Sequence, residues 1–182
     1  MDTPETLTVN GRAYPLLRLL GKGKGGYTWL TERGGVRYAL KQIHHEPCDY
    51  YQFGDKLAAE LRDYEILSAL GIPMPRLLDA DRAGERLLKE YLPGETVYRL
   101  VLRDAVEPWH RERVRALSQT LRGAGWNIDW FPTNFIPGGD TLYYVDYECN
   151  PYMDQWSFER WGARYWSRTP ELDAYAKEHG DL

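Results

Sequence analysis

The 182-residue sequence predicts an α+β fold, and three observations carry that expectation. The first ninety residues read mostly as strands separated by tight-turn signals. A single stretch within them, Lys56 to Leu70, switches to helical spacing. The second half reads chiefly as helices and loops.

Taken in order, "LTV", Asn10-Gly11 and "RAYPLLRLL" describe a hairpin entering a longer strand, because Asn-Gly accepts the backbone of a two-residue turn. "YTWLTE" and "VRYALKQIH" flank Arg33-Gly34-Gly35 as a second hairpin. In the latter strand Tyr38, Leu40 and Gln42 share one face, and Ala39, Lys41 and Ile43 the other. Leu57, Leu61, Tyr64, Leu67 and Leu70 then recur at three- and four-residue steps until Gly71, with Pro73 and Pro75 preventing resumption. "RLLDA" and "RLLKEYL" form two further strands around an Asp-Arg-Ala-Gly turn, and "EYLPGE" connects to the second half. There Pro108 suits the first turn of a helix with Val114, Leu117 and Leu121 as its apolar stripe, ended by Gly123. A short hairpin spans Gly138-Gly139, an aromatic helix is expected through "QWSFERWGARYW", and Thr169-Pro170 opens a last short helix.

Composition narrows the function classes. With 43% hydrophobic residues the chain can build one domain, or two small lobes sharing a cleft. A net charge of −4 and a pI near 5.6 argue against a nucleic-acid partner. No apolar run is long enough for a membrane span, and the acidic start "MDTPETLTVNGRAYP" is unlike a signal peptide. Cys48 and Cys149 are too few and too far apart for a disulfide framework, so a cytoplasmic protein with reduced thiols is expected.

Four features could carry chemistry. "GKGKGG" satisfies G-x-G-x-x-G at Gly21, Gly23 and Gly26, and glycines let backbone N–H groups approach phosphate oxygens. A dinucleotide fingerprint needs a helix to follow, whereas "YTWL" is a strand, which leaves a strand-loop-strand reading. Lys41 lies on the next strand, where its ammonium could reach phosphates under the loop. Glu60, or Glu65 one turn along, could hold it extended from the helix. Asp129, Asn134 and Asp146 surround the Gly-Gly hairpin, where such side chains either cap turns or hold a metal ion.

In their order and intervals these segments resemble the protein-kinase-like superfamily, including its aminoglycoside-phosphotransferase and RIO-type relatives. "GKGKGG" is similar to the glycine-rich loop, "YALK" to V-A-I-K, and "KEYLPGE" to the hinge. Asp129 and Asn134 have the D-x-x-x-x-N spacing of the catalytic loop, and "VDYE" resembles D-F-G and, more closely, the I-D-W-E of small-molecule kinases. The resemblance implies a bilobal fold: an antiparallel-sheet N-lobe over 1–89, a hinge over 90–95 and a reduced helical C-lobe over 96–182. It further implies ATP and Mg²⁺ as cofactors. Lys41, paired with Glu60, would hold the α- and β-phosphates beneath Gly21, Gly23 and Gly26. Asn134 and Asp146 would bind Mg²⁺, Asp129 would take the proton of the attacking hydroxyl, and Glu90 and Leu92 would bond adenine through their backbones. The acceptor would be a protein serine or threonine, or a small molecule.

Departures from the family pattern sharpen the expectation. H-R-D is here Asn127-Ile128-Asp129, and 36 residues follow Asp146, which argues against control by activation-loop phosphorylation. Phe131 stands where eukaryotic protein kinases carry a phosphate-neutralising lysine, Glu148 replaces the glycine of D-F-G, and Lys89 occupies the gatekeeper position. These leave a nucleotide-binding pseudokinase as the alternative. Trp156, Phe158, Trp161 and Trp166 are expected to fill the reduced lobe's core or, failing that, to form a patch for a partner or dimer.

Overall fold

The computed structural model describes residues 6–47 and 54–180. Cys48 therefore lies outside the described residues. By contacts the chain divides into two compact units, 1–60 with 75–91, and 61–74 with 92–182.

The first unit is a six-stranded antiparallel sheet in the order β1-β2-β3-β4-β6-β5. Its strands are β1 (Thr6–Val9), β2 (Arg12–Lys22), β3 (Gly26–Arg33), β4 (Val36–Ile43), β5 (Leu77–Asp81) and β6 (Arg86–Glu90). Asn10 and Gly11 have φ of +47° and +77°, as the first hairpin requires, and Gly34 and Gly35 repeat the arrangement between β3 and β4. The sheet curls until β1 meets the opposite edge: the Asn10 amide donates to Asp81 Oδ2 at 2.9 Å, and Arg86 Nη1 donates to the Thr8 carbonyl at 2.6 Å. Backbone donation from Gly84 and Asn10 holds the Asp81 carboxyl below its usual range, so the latch stays charged at neutral pH. Leu7, Val9, Tyr14, Leu40 and Leu88 fill the concave side, with Leu16, Trp29 and Tyr38 against them.

Helix α1 (Lys56–Ala69) gives its first turn to this unit and its remainder to the second. Asp55 Oδ1 caps it by accepting the Ala58 amide, and Gly71 at φ +72° turns the chain away.

The second unit contains α2 (Val97–Leu102), α3 (Pro108–Gly123) and α4 (Pro170–His179). It also holds two small antiparallel pairs, β7 (Trp126–Asn127) with β10 (Asn150–Pro151), and β8 (Phe135–Gly138) with β9 (Thr141–Tyr144). Thr169 caps α4 as its sequence predicts. Helix α2 was not expected, although Thr96, whose side chain accepts from the Arg99 amide, was a readable cap.

The expected aromatic helix through "QWSFERWGARYW" is absent. That segment holds two short 3₁₀ turns, Asp154–Trp156 and Gly162–Tyr165. Ser157 interrupts it with an extended backbone (φ −67°, ψ 161°), and its hydroxyl accepts the Arg160 amide beyond the break. The aromatics then divide: Phe158 and Trp166 are buried, whereas Trp156 is 47% exposed. Trp130, Phe135, Phe158 and Trp166 pack at centroid separations of 5.1–6.2 Å, Trp130 stacked on Phe135 and the other pairs edge to face. Polar ends are matched, with Trp130 Nε1 donating to Asn127 Oδ1 at 2.7 Å and Trp166 Nε1 to the Trp130 carbonyl at 2.9 Å.

Gly162 makes this packing possible, since a Cβ there would sit 2.5 Å from Trp130 Cβ and 3.1 Å from Phe158. Gly162→Ala should therefore destabilise the protein by about 2 kcal/mol, or roughly 4–8 °C in Tm. Gly123→Ala, with open space around its added Cβ, should leave Tm nearly unchanged. Thermal melts of the two variants beside the parent decide whether close packing at residue 162 is as tight as described.

Candidate functional site

The candidate residues form two clusters, one in each unit. In the first unit the strand pairing of β3 with β4 sets Lys41 opposite Thr28, and its side chain reaches Glu60 in the first turn of α1. Lys41 Nζ lies 2.5 Å from Glu60 Oε1, and the two side chains are only 11% and 12% exposed. Glu65, the other candidate partner, is exposed. Glu60 Oε2 is buried with no hydrogen-bond partner among the described residues.

The glycine loop lies directly against this pair. A Cβ on Gly25 would be 3.6 Å from Glu60 Oε1 and 3.8 Å from Lys41 Nζ. One on Gly26 would meet the Gln42 carbonyl at 2.5 Å and Lys41 Cε at 3.3 Å. Gly26 is thus required by close approach, whereas Gly21 and Gly23 have open space where a side chain would go. Gly25, invisible to the G-x-G-x-x-G pattern, is the glycine nearest the charges. Lys89 is buried on β6 opposite Ala39 and Leu77. The Glu90 amide donates to the Arg76 carbonyl at 2.9 Å, so among its backbone groups only the carbonyl is a candidate for adenine. Leu92 belongs to the second unit and is half-buried.

In the second unit Asp129, Asn134 and Asp146 come together. Asp129 follows β7, and its Oδ1 accepts the Phe131 amide at 3.0 Å, a tight side-chain turn. Pro132–Asn134 form a 3₁₀ turn closed by the Asn134 amide on the Phe131 carbonyl. Asn134 Nδ2 points back to the Asp129 carbonyl at 3.4 Å, which turns its Oδ1, the end able to bind a cation, the other way. The Val145 amide donates to the Asn134 carbonyl at 2.9 Å, fixing the residue beside Asp146 to this turn. Asp146 Oδ1 accepts the Tyr147 amide.

Helix α1 steadies the acidic segment from within the same unit. Tyr64 packs on Tyr147 at 4.6 Å, and buried Asp63 accepts the Cys149 amide at 3.1 Å. Burial, then the Asp63 charge, pushes the Cys149 thiol up to about 12, which makes it an inert core residue. Tyr144 was missed in the sequence, where nothing sets it apart from the other residues of the short hairpin. Burial raises its phenol well above the ordinary value, and the charges of Asp146, Asp129 and Glu148 add to the effect. It therefore stays neutral beside the carboxylates. Phe131 packs among Tyr98, Trp161, Tyr165 and Tyr175 at 4.6–6.4 Å. No group of three or more His, Cys, Asp or Glu side chains is placed to hold a metal ion among the described residues. One carboxylate with one carboxamide oxygen is nevertheless a donor set suited to Mg²⁺, which keeps its remaining positions for water and phosphate oxygens.

The structure is similar to the kinase domain of Mycobacterium tuberculosis PknI, with a TM-score of 0.50 and 17% sequence identity. The likeness covers 81% of this chain and 63% of that one. The fold is kinase-like. The chain spans less than two thirds of that kinase domain's length, at 63%. No protein-family model and no curated protein sequence matches the chain. No helix among the described residues is long and apolar enough to cross a membrane.

Proposed function

We propose that this chain is a kinase-like phosphotransferase that uses Mg-ATP to phosphorylate a hydroxyl of a protein or small molecule. The observation that carries this reading is the buried Lys41–Glu60 pair beneath Gly25 and Gly26. Removing two charges from water is unfavourable unless they are closely paired, and a hydrophobic pair would serve the fold at least as well. A lysine held extended under a glycine-rich loop is instead suited to phosphate oxygens.

Within this reading Lys41 would bind the α- and β-phosphates, and Asn134 and Asp146 would hold the metal. When bound, Mg²⁺ neutralises charge on the phosphates. Asp129 takes the proton of the acceptor hydroxyl as its oxygen bonds to the γ-phosphorus and the bond to the β–γ bridging oxygen breaks, releasing ADP. Glu90 and Leu92 orient adenine.

Phe131 favours a second reading. An aromatic side chain clustered with four other rings cannot supply the positive charge a protein kinase places there, as expected of a nucleotide-binding pseudokinase.

Thermal unfolding with ATP, with and without Mg²⁺, tests the shared nucleotide site. Wild type should rise in Tm only when both are present, by the equivalent of about 2.7 kcal/mol at a hundred times Kd. Asp146→Ala should lose that rise while keeping its ligand-free Tm within a few degrees. No rise in wild type at saturating Mg-ATP would sink both readings.

A further inference from the structure

The loop from Gly23 to Gly26 is exposed at its tip, yet the protein engages each of its carbonyls. The Gly23 carbonyl faces His44 Nε2 at 3.0 Å, and the Gly25 carbonyl accepts the His44 amide at 3.3 Å. The Gly26 carbonyl accepts the Gly23 amide at 2.9 Å. The Lys24 carbonyl, at the tip, faces Lys56 Nζ at 3.4 Å, and the same ammonium donates to the His44 carbonyl at 2.6 Å. His44 is set in turn by the Glu46 amide, which donates to its Nδ1 at 3.2 Å. That bond makes Nδ1 the acceptor and Nε2 the donor to Gly23. Outside the loop, Glu46 also binds Lys22 at 3.0 Å and the Tyr27 hydroxyl.

Lys56 is an unfavourable residue for the place it holds. It opens α1, where the helix dipole disfavours a cation, and it is only 5% exposed. Asp55 already caps the helix, so helix formation does not call for Lys56. Glu60, one turn along, is paired with Lys41, and Lys56 reaches from the same turn to the loop tip. A loop that receives phosphate must turn its carbonyl dipoles away from the anion and offer N–H groups instead.

We propose that Lys56, with His44 as its relay, is a positioning residue for nucleotide. It draws the carbonyls of Gly23, Lys24 and Gly25 toward the protein before ATP arrives, so that the loop backbone is pre-arranged for phosphate. The role rests on the phosphotransferase reading above. Preorganisation of this kind raises affinity by reducing the ordering that binding must impose, and it leaves the bond-making groups untouched. Its signature is a change in ATP affinity with little change in turnover.

The test uses the full chain with Lys56→Met, which keeps the stem's bulk and removes the donors, and Lys56→Arg, which keeps donors. Amide hydrogen exchange is read on the peptide spanning Gly21–Trp29 without nucleotide, and Kd and kcat are measured with Mg-ATP. Lys56→Met should speed exchange at the loop about tenfold and raise Kd about tenfold, equivalent to about 1.4 kcal/mol, with kcat within twofold. Lys56→Arg should recover most of both. If Lys56→Met folds poorly, His44→Phe removes the imidazole bonds to the Gly23 carbonyl and from the Glu46 amide, leaves the Lys56 bonds in place, and should move both readouts the same way by a smaller factor. Unchanged loop exchange would overturn the proposal. So would weakened binding with unchanged exchange, because Lys56 would then act on the nucleotide directly. Absence of any Mg-ATP response in wild type would reject the phosphotransferase reading, and the exchange rates alone would then decide whether Lys56 orders the loop.

Discussion

Asp129→Asn is expected to retain the Mg-ATP-dependent rise in Tm and to lose phosphate transfer by about 10²–10⁴-fold. The substitution separates the turn-forming bond at this residue from the proton-accepting role proposed for it. Asp129 Oδ1 accepts the Phe131 amide, so the aspartate shapes its turn whatever else it does. An asparagine oxygen can accept that same bond, so the turn persists. A carboxamide cannot take the proton of an attacking hydroxyl, so the chemical role does not. Alanine would remove both and leave a fall in rate ambiguous. The measurement is single-turnover transfer from labelled ATP beside a thermal scan of the same preparation. Turnover equal to wild type would make Asp129 a turn-former only. An unmeasurable rate in wild type together with an intact Mg-ATP shift would favour the pseudokinase reading, with Phe131 as its cause.

The parts of this molecule that were legible in its sequence are those fixed by local chemistry. Asn10-Gly11 and Gly34-Gly35 announce their turns because positive φ is confined to few residue types, and the structure has them there. The apolar spacing of Leu57 to Leu70 specifies α1 and offers Glu60 and Glu65 as candidate partners for Lys41 on β4, and the structure joins Lys41 to Glu60. The misread segment fails for a physical reason. Its aromatic residues recur at intervals that imitate a helical stripe, but Ser157 is extended in the middle of it, and Gly162 marks contact with Trp130 rather than flexibility. Such contact is non-local and leaves no periodic trace. The same applies to Lys56 and Gly25. Their partners are carbonyls and charges distant along the chain, and no pattern of side chains distinguishes a lysine that binds backbone from one that faces water.

Lys41→Met should destabilise the protein by about 3–5 kcal/mol, the usual consequence of stranding one member of a buried ion pair. The stranded group is Glu60, whose Oε2 already lacks a hydrogen-bond partner among the described residues and whose Oε1 would lose Lys41. Its carboxylate would then sit 88% shielded from water with no compensating charge at the position Lys41 Nζ occupied. Nucleotide binding should be lost as well, but instability alone could produce that result. The double variant Lys41→Met/Glu60→Gln resolves the ambiguity. With no charge left to strand, it should regain at least half of the lost stability, because most of the damage in the single variant comes from the orphaned carboxylate rather than from the missing attraction. It should nevertheless show no Mg-ATP-dependent rise in Tm, since the cation proposed to hold the phosphates is still absent. Urea melts of the wild type, both single variants and the double variant complete the cycle, and the nucleotide scan is then run at a temperature where the double variant is folded. Recovery of stability together with recovery of the Mg-ATP response would assign Lys41 a purely structural role and remove the central support for phosphate binding in this unit. Recovery of stability without it would place the function of the pair in the nucleotide, which explains why two charges are kept where apolar side chains would pack as well.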